Sequence, residues 1–327
     1  MPLISVEHLK KYYRVQHKEP GLRGSLKSAF SRQFREVRAV DDISFSVEAG
    51  EMVAFIGPNG AGKTTTLKCL SGLLCPTEGR LSVLGFDPWE KEDAFKMQFS
   101  FVMGSKNQLW WNLPPMETFT LNKAIYQIPS ASFKAILDEL VDLLDVEEVL
   151  TVQARKLSLG QRRKCELIAA LLHQPRLLFL DEPTLGLDVV MQKRIRDFIR
   201  QYNQKYQSTV LLTSHYMGDV SDLCSRVIII DRGRLAFDGN FRELLHQYVD
   251  HKLITLTLSR EVDPQALFSW GIVKEYQHPI MKIAVSRGDI PQVTGKILGS
   301  FPVSDLTIEE PPIEDIVREI FTGHDVA

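Results

Sequence analysis

The sequence predicts an α/β fold in which a mainly parallel sheet, covered by helices, contains a helical insert and is followed by a small second α/β domain. Three observations predict this fold. Short apolar runs alternate with helical patterns at the spacing of strand-helix-strand units. From about residue 106 to 160 the apolar residues instead recur every three or four positions, as on one face of a helix. The alternation of strands and helices covers residues 1–247, and a second, shorter alternation covers residues 250–327.

Composition is that of an ordinary globular protein. Of 327 residues, 44% are hydrophobic and 24% charged, and the net charge is −2, so neither a disordered chain nor a uniformly basic nucleic-acid binder is expected. The four cysteines form no CxxC pair, which favours a reducing compartment. No apolar run reaches the roughly 20 residues of a membrane span. The charge is uneven: residues 1–38 carry nine basic and three acidic side chains, and residues 250–327 carry seven and twelve.

The strands are predicted from alternation or from short apolar runs. Residues 3–9 (LISVEHL) and 43–47 (ISFSV) alternate, and 52–57 (MVAFIG) is the continuous run of a strand covered on both faces. Later strands are predicted at RLLFLD, STVLLTS and RVIIID, separated by helical stretches. The second domain has a βαββαβα pattern, with its helices at 263–270, 290–300 and 313–321.

One segment points to a specific chemistry. The residues GPNGAGKT at 57–64 match G-x-x-x-x-G-K-[ST] between a strand and a helix. Glycines let successive N–H groups point at phosphate oxygens, the helix adds its positive end, Lys63 adds a charge for the β- and γ-phosphates, and Thr64 offers a hydroxyl to Mg²⁺. The sequence therefore predicts nucleotide binding. The residues assigned to it are Gly57, Pro58, Asn59, Gly60, Ala61, Gly62, Lys63, Thr64 and Thr65.

A second acidic element follows the apolar run 177–180. Asp181 and Glu182 stand at the carboxyl end of that predicted strand, where ligands bind in parallel sheets. Asp181 is suited to holding Mg²⁺, and Glu182 to activating a water for attack on the γ-phosphate. Together with the phosphate loop, this pair predicts hydrolysis as well as binding.

The order of the motifs carries a family resemblance. GPNGAGKT is followed by LSLGQ at 157–161, DEPTLGLD at 181–188 and TSH at 213–215. This arrangement resembles the nucleotide-binding subunit of ATP-binding cassette (ABC) transporters over residues 3–245. By that resemblance Ser158, Gly160 and Gln161 belong to the signature loop that meets the γ-phosphate on an opposite subunit. Asp188 is similar to the D-loop aspartate, His215 to the switch histidine on the γ-phosphate, and Tyr13 to the aromatic residue that stacks on adenine.

The sequence departs from the family pattern at two places. Leu159 occupies the third position of the signature, where the family usually has glycine, while Ser158 and Gly160 are kept. The family glutamine near the start of the helical insert aligns with Ser105, and Gln108 stands three residues later. Either residue is a candidate for that role. Trp110 and Trp111 follow, either as core residues of the insert or as part of a groove for a membrane partner.

An insertion at 16–38 separates the first two predicted strands. Its apolar side chains fall on one helical face, and basic ones occupy the remainder, which predicts a basic amphipathic helix. The helix either packs on its own domain or contacts the membrane surface or a partner. The apolar set is Leu22, Leu26, Ala29, Phe30 and Phe34, and the basic set is Arg23, Lys27, Arg32 and Arg35.

The resemblance implies an ATPase subunit of an exporter that uses ATP and Mg²⁺. It implies a head-to-tail dimer with a second copy or a paralogue, separately encoded permease subunits, peripheral contact with the cytoplasmic face of the membrane, and no nucleic acid. The insertion is similar to polysaccharide exporters and the C-terminal IEEPPIEDIVREIF to drug and sodium exporters, so the cargo stays open. The alternatives are a soluble cassette ATPase acting on ribosomes or nucleic acid, and a non-transporting regulatory cassette.

Overall fold

The computed structural model describes residues 2–16, 34–104, 106–248, 251–263, 270–311 and Ile316. The chain forms two compact units, Met1–Asn240 and Phe241–Ala327. Short 3₁₀ turns at Pro88–Glu90, Glu147–Val149 and Ala154–Lys156 complete the first unit. The strands of this unit are β1 (Ile4–Gln16), β2 (Phe34–Val47), β3 (Met52–Ile56), β4 (Glu78–Val83), β5 (Phe99–Met103), β6 (Leu177–Asp181), β7 (Thr209–Thr213), β8 (Arg226–Asp231) and β9 (Arg234–Asn240). The helices are α1 (Lys63–Leu70), α2 (Asp93–Lys96), α3 (Pro115–Ile125), α4 (Ser130–Leu144), α5 (Leu159–Leu171), α6 (Val189–Tyr206) and α7 (Met217–Leu223).

The central sheet has six strands in the order β5-β6-β7-β3-β8-β9. All neighbouring pairs are parallel except the last, β8 with β9. All five residues of β6 and of β7 are buried, as expected for strands covered by helices on both faces. The carboxyl ends of β3, β6 and β7 therefore meet at one edge, and that edge holds the predicted site. The mainly parallel sheet predicted from the sequence is confirmed.

The second sheet of this unit is antiparallel, in the order β2-β1-β4. Its strands β1 and β2 are longer than the sequence predicts and pair as far as Gln16 with Phe34. The prediction of a helix through residue 38 is therefore wrong for residues 34–38, including Phe34 and Arg35, which lie in β2. Cross-strand pairing of residues on both sides of the insertion overrides the local helical spacing. The other residues of the predicted helix faces, within 17–33, lie outside the described residues.

The helical insert contains α3 and α4, ahead of α5. On α4 the side chains of Ile136, Leu137, Leu140 and Leu144 are buried, and they follow the spacing of a single helix face. Helix α4 begins directly after Pro129 and ends at Leu144, before Asp145 in the left-handed conformation. The periodicity of this stretch thus predicts its structure correctly.

The second unit is built on an antiparallel sheet, whose strands lie in the order β11 (Ile272–Gln277), β12 (Ile280–Ser286), β10 (His251–Leu258) and β13 (Val303–Glu309). Its core contains Ile254, Leu256, Met281 and Ile283 from the two central strands. Of the predicted helix 313–321, the structure describes only Ile316, which is helical. Of the predicted helix 263–270, residues 264–269 lie outside the described residues. The described elements are α8 (Phe241–Tyr248), β10 (His251–Leu258), β11 (Ile272–Gln277), β12 (Ile280–Ser286), α9 (Ile290–Ser300) and β13 (Val303–Glu309), with a 3₁₀ turn at Arg287–Asp289.

Candidate active site

The phosphate loop connects β3 to α1. Gly62 precedes the first residue of α1 with a φ of 111°, in a region that only glycine adopts readily. A Cβ atom on Gly62 would lie 2.3 Å from the carbonyl oxygen of Ala39, so any other residue would clash with backbone. Asn59 and Gly60 are exposed, Thr65 is half-buried, and Gly57, Ala61 and Gly62 are buried. The backbone thus has the curled form that an anion cradle needs.

Lys63 is folded back over this loop. Its Nζ donates hydrogen bonds to the carbonyl oxygens of Gly57 (2.7 Å) and Pro58 (3.1 Å). Burial lowers the pKa of Lys63, and the negative charges of Glu182 and Asp181 oppose that shift. The ammonium group is therefore held at the loop by carbonyl oxygens, close to two carboxylates.

Asp181, the last residue of β6, meets two hydroxyl groups. The Thr64 hydroxyl donates to its carboxylate oxygens at 3.1 and 3.2 Å, and the Thr213 hydroxyl at the end of β7 donates at 2.6 Å. Asp181 is buried. The structure therefore brings together Thr64 and Asp181, the two residues predicted to hold Mg²⁺. Thr213 was not singled out from the sequence, although it is the first residue of the TSH motif.

Glu182 and His215 form the next pair along the same edge. The Nε2 atom of His215 lies 3.1 Å from a carboxylate oxygen of Glu182 and 3.4 Å from Lys63 Nζ. Glu182 has a φ of 55°, an unusual conformation for a residue other than glycine and one found at functional sites. Its N–H donates to the Thr213 carbonyl at 3.0 Å. Lys63, Glu182 and His215, which are far apart in sequence, are thus contiguous in space.

The signature residues form a separate group at the start of α5. Ser158 accepts a hydrogen bond from the N–H of Gln161 at 3.2 Å, and the Gln161 side chain accepts one from the N–H of Ser158 at 2.9 Å, a capping box. Gly160 faces the side chain of Met191 in α6. Asp188 caps α6 by accepting from the N–H of Met191 at 2.9 Å. Within the described part of the chain, no hydrogen bond or ion pair joins these residues to the phosphate loop.

Tyr12 and Tyr13 have opposite surroundings. The Tyr12 hydroxyl donates to Asp41 at 2.6 Å, and Arg38 lies over the Tyr12 ring. That hydrogen bond is the main cause that raises the pKa of Tyr12 and lowers the pKa of Asp41. Tyr13 points to the other face of the strand, where 37% of its surface is exposed, and Lys11 Nζ lies over its ring, 5.3 Å from the ring centre. Tyr13 is therefore the more exposed of the two tyrosines.

A cavity of about 970 Å³ lies between β5, α3 and α5. Gln108 lines it, donates from Nε2 to the Phe101 carbonyl at 2.7 Å, and has a buried Oε1 without a hydrogen-bond partner. Ser105, the other candidate for the family glutamine, lies outside the described residues. Trp110 is 57% exposed and Trp111 48%, so the interpretation of both as core residues of the insert is wrong.

The same region contains a buried acid that the sequence prediction missed. Glu166 on α5 has a fully buried side chain and pairs with Arg163 at 2.5 Å. It also accepts the N–H of Gln108 at 3.2 Å. The available signal was an acidic residue within the otherwise apolar helical pattern CELIAALL. This pair connects the start of the helical insert to the helix that follows the signature loop.

The fold and the edge of the central sheet define a class of protein. A glycine loop at a helix start, with a lysine, a threonine and two strand-end carboxylates around it, is how P-loop enzymes hold and hydrolyse a nucleoside triphosphate. Within the described residues no helix is long and apolar enough to cross a membrane.

Comparisons with known proteins agree with this class. The family model described as "ABC transporter" matches residues 40–185, and the model described as "EvrA-like ABC transporter, C-terminal domain" matches 250–309. The ABC transporter ATP-binding protein NatA of Bacillus subtilis (strain 168) is 31% identical over 71% of this chain and 96% of its own length. The linearmycin resistance ATP-binding protein LnrL of the same organism is 32% identical over 84% of this chain and 91% of its own.

A solved structure is similar in fold. A dimeric ATP-binding cassette in a post-hydrolysis state, bound to ADP and phosphate, has a TM-score of 0.60 and 20% identity, over 73% of this chain and 99% of the other. The protein therefore belongs to the family of ATP-binding proteins of ABC transporters. It is a nucleotide-binding subunit and an ATPase.

Proposed function

We propose that this subunit hydrolyses MgATP to power an exporter whose membrane-spanning permease is a separate chain. The observation that carries the proposal is the contiguous group Lys63, Thr64, Asp181, Glu182 and His215 at one sheet edge. The similarity to the linearmycin resistance protein LnrL supports a role in export of small molecules. The relatives found by comparison therefore favour a role in transport and not an action on ribosomes or nucleic acid. The permease would hold the subunit at the cytoplasmic face of the membrane.

In the proposed site the phosphate chain of ATP lies in the loop 57–64, where N–H groups and Lys63 neutralise its charge. Tyr13 stacks on the adenine. Thr64 and Asp181 fit a magnesium ion and would hold it, because both offer the hard oxygen ligands that Mg²⁺ prefers. When bound there, Mg²⁺ would neutralise charge on the β- and γ-phosphates.

Glu182 is proposed to accept a proton from the water that attacks the γ-phosphorus. Its carboxylate stands at the sheet edge next to the phosphate loop, within 3.1 Å of His215. His215 in turn is proposed to orient Glu182 and to donate a hydrogen bond to a γ-phosphate oxygen. In this proposal Glu182 activates the water, and His215 stabilises the transferred phosphoryl group.

Ser158, Gly160 and Gln161 are proposed to act on the nucleotide of a second cassette. As far as the chain is described, they contact one another and α6 and make no hydrogen bond or ion pair with the phosphate loop of their own chain. A head-to-tail dimer of two such chains would place each signature loop over the partner's γ-phosphate. The partner is a second copy or a paralogue, and Asp188 at the start of α6 is expected to lie at the same interface.

The cavity lined by Gln108 and Trp110 is the proposed docking groove for the permease. It has apolar and polar walls, and exposed tryptophans of this kind are enriched at protein interfaces. Residues 1–247 are proposed to be the cassette, with about 106–160 as its helical subdomain, and 250–327 an accessory domain. The match of residues 250–309 to a C-terminal domain model supports that assignment. The two compact units of the structure support two domains but divide the chain between Asn240 and Phe241, ahead of the proposed boundary.

The decisive experiment is Glu182→Gln. The amide keeps the shape of the side chain but cannot accept the proton of the attacking water, so MgATP binding is expected to persist while the rate of hydrolysis falls at least about 100-fold. ATP-bound dimer should then accumulate in size-exclusion chromatography with MgATP. Asp238→Asn, which alters a carboxylate on β9 paired with Arg226, is the control. Hydrolysis by Glu182→Gln at the rate of the unmodified protein would exclude the proposed role.

A further inference from the structure

Asp219 lies on α7, four residues after His215, and its side chain is completely buried. It belongs to none of the motifs recognised in the sequence. A buried carboxylate is costly unless it is fully paired and hydrogen-bonded, and the partners of Asp219 are all in the segments that follow the catalytic strands. Its position therefore calls for an explanation beyond packing.

Three side chains donate to this carboxylate. The Thr184 hydroxyl donates at 2.5 Å, the Ser214 hydroxyl at 2.8 Å, and Arg196 Nη1 at 3.1 Å. All three residues are themselves buried. Arg196 is also paired with Asp222 at 2.8 Å. The charge of Asp219 is thus compensated, and both of its carboxylate oxygens accept hydrogen bonds.

The three donors come from three different segments of the site. Thr184 stands two residues after Glu182, in the loop that follows β6. Ser214 immediately precedes His215, in the loop that follows β7. Arg196 is on α6, the helix that begins after Asp188. One carboxylate therefore joins the loop of the water-activating glutamate, the loop of the histidine and the helix that Asp188 caps.

We propose that Asp219 is a positioning residue for ATP hydrolysis, which fixes the Glu182 loop and the His215 loop relative to each other through Thr184 and Ser214. The proposal rests on the roles proposed above for Glu182 and His215. The distance between those two side chains is 3.1 Å, and each is one or two residues from a hydroxyl bound to Asp219. Loss of either hydroxyl link frees one loop without removing any group that would touch the nucleotide.

The test uses two small substitutions. Removing Asp219 itself would leave Arg196 with less compensation in the interior, which is strongly destabilising, so the links are removed instead. Thr184→Val and Ser214→Ala each delete one hydroxyl and keep the Asp219–Arg196 pair. Each is expected to lower the single-turnover rate constant of ATP hydrolysis about tenfold, the size of one well-made hydrogen bond, with the ATP dissociation constant changed less than about twofold.

Ser208→Ala is the matched control. Ser208 precedes β7 as Ser214 follows it, is equally buried, and donates to the Pro175 carbonyl at 2.7 Å, but it stands at the opposite end of the strand. It should lower the thermal unfolding midpoint as much as Ser214→Ala and leave the hydrolysis rate unchanged. A rate loss in Ser208→Ala equal to that in Ser214→Ala would reduce the role of Asp219 to general stability.

A second readout separates positioning from packing. In a His215→Ala background, the further change Ser214→Ala should lower the rate less than about twofold, because the group that it positions is gone. A full tenfold loss in that background, or unmodified rates in Thr184→Val and Ser214→Ala, would overturn the inference. An active Glu182→Gln would instead overturn the proposed function, so the two failures are distinguishable.

Discussion

At the residue scale, the adjacent tyrosines of β1 show how one strand separates two roles. Tyr12 contacts Asp41 and Arg38, whereas the Tyr13 ring, on the opposite face, is more exposed and has Lys11 Nζ over it. Successive side chains of a strand alternate between faces, so a shift of one residue would exchange the roles completely. The greater exposure of Tyr13 supports the proposal that this residue stacks on adenine, on a physical ground that the sequence alone does not contain.

This difference leads to a prediction about nucleotide affinity. Tyr13→Ala should weaken ATP binding about tenfold, since stacking of a base on an aromatic ring contributes roughly 1–3 kcal/mol, and Tyr13→Trp should restore it. Binding can be measured by titration calorimetry with ATP. Tyr12→Phe, which removes only the hydroxyl bound to Asp41, serves as the control and should bind ATP normally. If Tyr12→Phe loses affinity and Tyr13→Ala does not, the assignment must be exchanged.

At the element scale, an element could be predicted from the sequence when the interactions that form it join residues close together in the chain. Strand β6, its carboxylates and the phosphate loop were predictable, because burial, a strand end and a glycine turn are all encoded within a few residues. The extension of β1 and β2 was not, since Phe34 joins a strand only by pairing with Gln16 across the insertion. The network around Asp219 has the same cause: its donors lie up to 35 residues away in sequence.

The insertion itself supplies a prediction about coupling to the permease. Arg23, Lys27 and Arg32 are the basic residues of its predicted helix, and each basic residue near an anionic membrane surface contributes about 1 kcal/mol of attraction. Changing all three to Gln should leave the ATPase activity of the isolated subunit unchanged but lower ATPase activity in permease-containing vesicles with anionic lipids.

Arg35 provides the control for that experiment. It was assigned to the same basic face but lies in β2 opposite Val15, so Arg35→Gln should have a smaller effect in vesicles than the triple change. Loss of activity or stability in the isolated triple variant would instead show that the segment packs on its own domain.

At the scale of the whole molecule, each of the two units contains a hydrophobic core of its own. The core of the first is drawn from residues between Leu3 and Ile230, and that of the second from residues between Ile254 and Ile297. The six-stranded sheet is complete at Asn240, the last residue of β9. All described residues of that first core cluster therefore precede the end of the six-stranded sheet.

We expect a chain that ends at Asn240 to fold and to bind ATP. Its thermal unfolding midpoint should lie within about 5 °C of that of the full chain, a shift that corresponds to only about 1–2 kcal/mol for a domain of this size. Circular dichroism and ATP titration measure both quantities. Dimer formation by the Glu182→Gln variant should differ between the two lengths, which would assign the second unit to control of assembly. If the chain that ends at Asn240 does not fold, the second unit is required for the folding of the first.

The capping box at Ser158 has a consequence of its own. In capping α5 the serine oxygen only accepts, from the N–H of Gln161, so the hydroxyl proton is still available for a bond to an anion. Aspartate caps a helix as well as serine does, yet it has no proton to give and it repels phosphate. Ser158→Asp should therefore keep the unfolding midpoint of the subunit while abolishing ATP-induced pairing of two cassettes. The lone pair of a single hydroxyl would thus cap the start of a helix, while its hydrogen would donate to the nucleotide on the neighbouring molecule.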